Sequence, residues 1–172
     1  MPKVTCLYLD DSGTRNPDHA PQQPLFRDWF ALGGVLINEE DEGIARTAHE
    51  RFCNEWGINY PLHSFDIRLT RGRFSWVRML GSKDYNQFMQ GITNLLTSIP
   101  VTGHACVIDR PGYDARYREK YGRQTWMLCK TAFAVLCERA AKFAQRDGRK
   151  LRVFPEESDK TADGYLRSYI KN

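Results

Sequence analysis

The sequence lacks the features that mark several large classes of protein. It has no C-x-x-C pair, and its five cysteines are scattered through apolar segments. That pattern predicts reduced core thiols, and the four histidines have no ligand-like spacing, which argues against a zinc site. No apolar run approaches the ~20 residues that cross a bilayer, and the first residues lack the apolar stretch of a signal peptide. The sequence therefore predicts a cytoplasmic protein with no membrane partner.

The charge of the chain is weak overall but concentrated locally. The net charge is +4, which tolerates a polyanionic partner without requiring one. Two stretches, 66–78 and 110–123, interleave arginine with aromatic residues. Arginine neutralises phosphates and aromatic rings stack on bases, so these stretches predict contact with DNA or RNA. The alternative is a pair of solvated loops whose aromatics point inward. The candidate nucleic-acid ligands are His63, Arg68, Arg71, Arg73, Arg110 and Arg123.

The order of the predicted elements is that of an α/β protein. Apolar and alternating runs predict strands over 3–10, 26–38, 101–109 and 149–158. Helical periodicity predicts helices over 38–57, 82–99 and 124–148, with a last helix starting near 158. The first two strands can form an antiparallel hairpin, and the helical crossovers allow later strands to run parallel. Gly33 and Gly34 within the second strand predict a bulge or a close approach of another backbone.

Three of the predicted strands run directly into an acid. Asp10, Asp109 and Glu156 each follow an apolar run. Since parallel strands align their carboxyl ends, where ligands bind in α/β sheets, the three carboxylates are expected to converge. Such a cluster is stabilised by Mg²⁺ or Mn²⁺, and two such ions support cleavage of a phosphodiester. Asp10 is assigned as the central ligand and Asp11 as a secondary one.

Each acid also has a purely local explanation. The stretch "DDSG" (10–13) is a good turn sequence, and Asp109 precedes "RPGY", which also predicts a turn. Glu156 precedes a predicted helix, whose N-terminal end favours acidic residues. His63 is open in the same way, because it can contact a phosphate or a metal, or pack under a loop.

Several stretches, in order along the chain, resemble one known family. "YLDDSG" (8–13) is similar to the Asp-Glu-Ser-Gly strand end of the ribonuclease-H-like family called domain of unknown function 3800, with Asp11 replacing the Glu. "WFALGGVLI" and "CVIDRPGY" resemble its second strand and its strand-Asp-loop. "LHSFDIRLTRGRF" resembles a segment with a Glu-Leu-His or Glu-Leu-Lys core, with Pro61 at the expected Glu. "LRVFPEESDK" resembles its strand ending in Glu-Arg-Ser. The resemblance spans nearly the whole chain.

The resemblance implies a ribonuclease-H-like mixed sheet flanked by helices and a metal-dependent nuclease activity. Asp10, Asp109 and Glu156 would be catalytic and, with Asp11, would bind the metal. The family continues to a further helix carrying Gln-Leu-Ala-Asp, so the chain is expected to be one domain over 1–172 that is C-terminally incomplete. It would then be a fragment, a truncated gene product or an inactive descendant.

Three functions remain open on the sequence alone. The first is a divalent-metal nuclease or a remnant of one. The second is a non-catalytic ribonuclease-H-like module that binds nucleic acid or a protein. The third is a small-molecule phosphohydrolase, since the same carboxylate chemistry serves it. A homo-oligomer is compatible with each, and the sequence does not fix the oligomeric state.

Overall fold

The computed structural model describes residues 2–13, 28–121 and 128–156. The chain divides into two compact units, Met1–Glu39 with Val101–Asn172, and Glu40–Pro100. Each unit has its own apolar core. The predicted helix near 158, the residue Arg123 and the first residues of the predicted helix 124–148 lie outside the described residues, and the single domain over 1–172 stays a prediction.

The first unit is built on a four-stranded mixed sheet. Its strands are β1 (Val4–Ser12), β2 (Trp29–Asn38), β3 (Thr102–Asp109) and β4 (Lys150–Pro155), in the order β3-β2-β1-β4. Strand β2 is antiparallel to both β1 and β3, and β4 is parallel to β1. Strands β1, β3 and β4 therefore end at the same side of the sheet. The predicted α/β class, the antiparallel hairpin and the parallel later strand are confirmed.

One face of this sheet is covered by a long helix, α5 (Leu128–Arg146). The helix presents small and apolar residues at every fourth position, which forms one continuous buried stripe. These residues are Leu128, Ala132, Leu136, Ala140 and Ala144. The stripe meets the odd-numbered residues of β1, because alternate strand residues point to the same face. Leu7 and Leu9 are buried there, as the apolar character of this central strand predicts.

A helix follows β3 where the sequence predicts a turn. Residues Arg110–Tyr121 form α4, so the turn predicted at "RPGY" is wrong. The Asp109 carboxylate explains the difference, since its Oδ2 accepts a hydrogen bond from the backbone N–H of Gly112 at 3.0 Å. This is the N-cap interaction that starts a helix. Pro111 fits the first turn, where a backbone N–H has no partner within the helix.

The opposite face of the sheet keeps several large side chains exposed. Tyr8 and Phe154 lie side by side on β1 and β4, and their rings stack at 4.9 Å between centroids. Trp29 and Val107 are more than half exposed on the same face. This face belongs to the even-numbered positions of β1, among which Asp10 is the next residue after Tyr8. It is the face on which the strand-end acids are found.

The second unit is helical. It contains α1 (Glu42–Glu55), α2 (Ser64–Arg68), a 3-10 segment (Gly72–Met79) and α3 (Ser82–Ser98). The helices predicted over 38–57 and 82–99 are confirmed, whereas α2 and the 3-10 segment fall in a stretch with no predicted element. Phe88 of α3 is fully buried and makes edge contacts with Trp56 and Trp76 at 5.0 and 5.4 Å between ring centroids. These ring contacts join the two long helices to the 3-10 segment.

The cysteine environments agree with core thiols. Burial raises the pKa of the Cys137 thiol to about 11, and it also raises the pKa values of Cys53 and Cys106. These thiols stay protonated at neutral pH and are therefore poor nucleophiles and poor metal ligands. Within the described ranges no helix is long and apolar enough to cross a membrane.

Candidate metal and nucleic-acid site

Asp10 lies near the end of β1, and Glu156 is the residue that follows the neighbouring parallel strand β4. The strand β1 continues through Asp10 and Asp11 to Ser12, so the alternative of a turn starting at Asp10 is wrong. The register of β1 and β4 pairs Tyr8 with Phe154 and Leu9 with Pro155. The backbone N–H of Glu156 donates to the carbonyl oxygen of Leu9 at 2.8 Å, which fixes the position of Glu156 beside β1. Neighbouring strands are about 4.8 Å apart, so the two acids start from adjacent backbone positions. Each follows a member of the stacked aromatic pair by two residues, so the alternation of β1 and β4, continued by one residue to Glu156, directs both acids to the same face of the sheet.

One oxygen of the Asp10 carboxylate accepts a hydrogen bond, and the other is exposed. Oδ1 accepts a hydrogen bond from the backbone N–H of Asp11 at 2.7 Å. Oδ2 makes no hydrogen bond with any residue in the described ranges, and the side chain is exposed. An exposed carboxylate oxygen of this kind is a suitable ligand for a hard divalent cation.

Asp11 points to the other face of the sheet. It pairs with Leu32 of β2 and is half-buried, on the side of the sheet that carries Leu7 and Leu9. Its backbone N–H donates the 2.7 Å hydrogen bond to Asp10 Oδ1. The alternation of the strand thus separates the two adjacent acids, as the period-two pattern predicts.

Asp109 lies on the same face of the sheet as Asp10 but further along the strand direction. Across the sheet, Asp10 lies opposite Gly33 of β2, and Gly33 lies opposite Ala105 of β3. Asp109 is four residues further along β3 and lies opposite Trp29. That offset is ~13 Å along the strand direction, with β2 between the two acids. The Asp109 carboxylate also caps α4. The structure therefore brings Asp10 and Glu156 together and places Asp109 apart. In the described part of the chain, no three His, Cys, Asp or Glu side chains could together hold a metal ion.

The sequence carries a further signal beside these acids, which lies outside the three strand-end motifs. Tyr8 and Asp10 on β1 repeat the spacing of Phe154 and Glu156 on β4, an aromatic residue two positions before an acid. Because both strands run the same way, the repeat places an exposed aromatic pair next to the acidic pair. Exposed aromatic rings are also the groups that stack on nucleobases in proteins that bind single strands.

In the second unit, Asp66 holds two of the predicted nucleic-acid ligands. Its Oδ1 accepts a hydrogen bond from Arg71 Nε at 2.8 Å, and its Oδ2 lies 3.1 Å from His63 Nδ1. The guanidinium carbon of Arg71 also lies 3.9 Å from the ring centroid of Phe65. His63 and Arg71 are more than half exposed, whereas Asp66 is 26% exposed. The arginine and the histidine are therefore held on opposite oxygens of one carboxylate.

The other predicted arginines differ in their surroundings. Arg68 Nε donates to the Ser64 carbonyl oxygen at 3.4 Å, and the Arg73 guanidinium lies 5.4 Å from the Tyr60 ring. Both side chains are exposed. Arg110 is only 1% exposed at the start of α4, which does not suit a surface ligand for phosphate. We therefore leave Arg110 out of the candidate interface.

Acid is expected to loosen the Asp66 contacts. The hydrogen bond from Arg71, followed by that from His63, lowers the pKa of the Asp66 carboxyl. A carboxyl with a lowered pKa in the folded state stabilises that state above its unfolded pKa, about 3.9, and loses this effect as the pH falls through the lowered value. The Arg71 Nε–H NMR resonance should therefore shift only below pH ~4. The same shift in Asp66→Asn would contradict this assignment.

Comparison with known proteins gives one informative relative. The chain is 35% identical over 170 residues to the uncharacterized protein y4pM of Sinorhizobium fredii. The match covers 95% of this chain and 61% of that protein, so the chain spans less than two thirds of its relative's length. No protein-family model matches the chain. No solved structure matches it either.

Proposed function

We propose that the protein is a divalent-metal-dependent nuclease of ribonuclease-H-like fold, whose metal is held by Asp10 and Glu156. One observation carries the proposal, namely that the parallel register of β1 and β4, extended by the hydrogen bond from the Glu156 N–H to Leu9, brings the backbones of these two acids side by side. Sequence resemblance supports the fold, and the mixed sheet with a parallel β1–β4 pair is compatible with it.

The donor set fits a hard cation such as Mg²⁺ or Mn²⁺. Asp10 offers an exposed oxygen, and Glu156 adds a second carboxylate from the neighbouring strand. When bound, the metal would polarise the phosphoryl oxygen and lower the pKa of a coordinated water. The backbone N–H of Asp11 fixes the orientation of the Asp10 carboxylate through the 2.7 Å hydrogen bond. The exposed Tyr8–Phe154 pair would stack on a base next to the bond that is cleaved.

Metal binding is the direct test of this proposal. Mn²⁺ should broaden the NMR signals of Asp10, Glu156 and their neighbours because a bound paramagnetic ion relaxes nearby nuclei. Asp109, ~13 Å further along the sheet, should be affected less. Cleavage should then be measured with Mg²⁺ or Mn²⁺ on single- and double-stranded DNA and RNA, with EDTA as the control. Broadening centred elsewhere, or cleavage that persists in EDTA, would refute the proposal.

A second candidate is a non-catalytic module that binds nucleic acid. The observation in its favour is Asp109, whose carboxylate caps α4 instead of joining the other two acids. Under this reading the protein binds oligonucleotides without cleaving them and shows no Mn²⁺ broadening at Asp10. A small-molecule phosphohydrolase would instead release phosphate from mononucleotides or sugar phosphates in a substrate panel.

A further inference from the structure

The loop after α2 is shaped so that Asp66 and Arg71 face each other. The backbone N–H of Arg71 donates to the Asp66 carbonyl oxygen at 3.0 Å, which closes the loop. Thr70, just before Arg71, has a φ of +47°, and Gly72, just after it, has a φ of +56°. A β-branched residue in the left-handed region is an outlier, and such strained positions cluster at functional sites.

The Arg71 guanidinium is held in place on two sides. Asp66 accepts a hydrogen bond from its Nε, and its central carbon lies over the ring of Phe65. Its two terminal nitrogens make no hydrogen bond within the described residues, and the side chain is 54% exposed. A guanidinium fixed in this way presents a planar pair of N–H donors, the geometry that binds two oxygens of one phosphate.

We propose that Arg71, Asp66 and His63 form a binding site for a single phosphate group of a nucleic-acid backbone, with Asp66 as its positioning residue. Arg71 supplies the bidentate contact, and His63, when protonated, adds a donor at Nε2. Asp66 binds no phosphate itself but fixes the direction of both donors. The inference rests on the nucleic-acid partner of the proposed function, and it does not depend on metal or cleavage.

The charge of the surroundings favours nucleic acid over a lipid surface. Residues 60–81 contain four arginines and one acidic residue, Asp66. An anionic membrane responds mainly to summed charge, so a carboxylate beside the arginine would weaken that attraction. A phosphodiester in a bidentate contact responds to the direction of the N–H donors, which the carboxylate improves. The exposed side chains of Phe65 and Leu69 would then contact bases or sugars.

If Asp66 positions Arg71, removing its negative charge should weaken the binding of an oligonucleotide. Asp66→Asn raises the net charge by one, so summed charge alone predicts tighter binding of an oligonucleotide. Positioning predicts the reverse, with binding weaker by about tenfold, because the asparagine amide has a single acceptor oxygen where aspartate holds Arg71 and His63 on two, and its hydrogen bond to Arg71 is no longer charge-assisted. The slope of log affinity against log salt should also fall by about one, as for a lost phosphate contact. Asp66→Glu, which keeps a carboxylate, should recover part of the loss.

The experiment uses the full chain with EDTA throughout, and it measures binding to short fluorescein-labelled thymidine and uridine oligonucleotides and, separately, to phosphatidylserine vesicles. Asp84→Asn is the matched control, because Asp84 is an exposed acid in the first turn of α3 and its replacement changes the net charge by the same amount. Arg71→Lys is compared in the same way with Arg78→Lys, since Arg78 is exposed in the same unit. Circular dichroism and thermal unfolding verify that each variant is folded. Only Asp66→Asn and Arg71→Lys should weaken binding.

The possible failures can be told apart. If Asp66→Asn binds the oligonucleotide as tightly as Asp84→Asn, or more tightly than wild type, binding depends on the net charge of the surface and not on the orientation of Arg71. That result would overturn the inference. If wild type binds phosphatidylserine vesicles instead of the oligonucleotide, the partner is a membrane surface, which overturns it too. If wild type binds no oligonucleotide of DNA or RNA, the nucleic-acid partner of the proposed function fails together with the inference.

Discussion

Alanine at position 34 is expected to destabilise the protein by about 3 kcal/mol or more, whereas alanine at position 33 should change its stability by less than ~1 kcal/mol. The two glycines are neighbours in β2 and face opposite sides of the sheet. Their different surroundings, rather than their shared residue type, produce this difference.

The difference follows from the backbone of β1. A Cβ at Gly34 would lie 1.9 Å from the carbonyl oxygen of Tyr8 and 2.9 Å from its carbonyl carbon. Backbone atoms cannot rotate away as a side chain can, and β1 is hydrogen-bonded to both β2 and β4. A Cβ at Gly33 would meet the His104 carbonyl oxygen at 3.3 Å and the Ala105 Cβ at 3.4 Å, which small shifts can relieve. The close approach of another backbone, predicted from the glycine pair, is therefore confirmed at Gly34.

Urea unfolding followed by circular dichroism tests this expectation. Gly34→Ala should have a much lower midpoint than wild type, or fail to fold, while Gly33→Ala should unfold close to wild type. Since Tyr8 precedes Asp10 by two residues, the Gly34 variant should also disturb the acidic pair. Equal stabilities of the two variants would show that β1 and β2 are not paired in this register.

The sheet could be predicted from sequence because its signals are local. Apolar alternation identified all four strands, and the helical stripes identified α1, α3 and α5. Helix α4 was missed because "RPGY" contains two turn-forming residues, and the carboxylate cap that offsets them becomes visible only in three dimensions. In the same way, the stretch before α3 holds a short helix and a 3-10 segment, whose weak periodicity gives no usable pattern.

The candidate site could be predicted only in part. The direction of β1, β3 and β4 follows from the order of the elements, and it places three acids at one side of the sheet. How far along the strands each acid lies depends on the register of the three strand pairs, and the sequence does not specify that register residue by residue. The register keeps Glu156 beside Asp10 and moves Asp109 four positions away. The contact of His63 and Arg71 with Asp66 likewise depends on the left-handed turn at Thr70.

Asp10→Asn is expected to abolish metal binding by Asp10 and Glu156 and, with it, any metal-dependent cleavage. The amide nearly preserves the shape of the side chain, and its oxygen can still accept the hydrogen bond from the Asp11 N–H. The substitution removes the negative charge that a divalent cation requires. In metal-free buffer, Asp10→Asn should keep the fold and unfold at a slightly higher temperature, because two neighbouring carboxylates no longer repel each other.

Asp109→Asn is the matched comparison for this prediction. It removes the same charge from the same face, and asparagine caps a helix about as well as aspartate, so α4 should be retained. If the metal is held by Asp10 and Glu156, Asp109→Asn should bind Mn²⁺ as wild type does, whereas Asp10→Asn and Glu156→Gln should both lose it. Isothermal titration with Mn²⁺ and cleavage assays on each purified variant make the comparison. Retained binding in Asp10→Asn would show that Asp10 is an exposed residue of β1 and not a metal ligand. Loss in Asp109→Asn alone would move the metal to the far end of β3, beside the cap of α4.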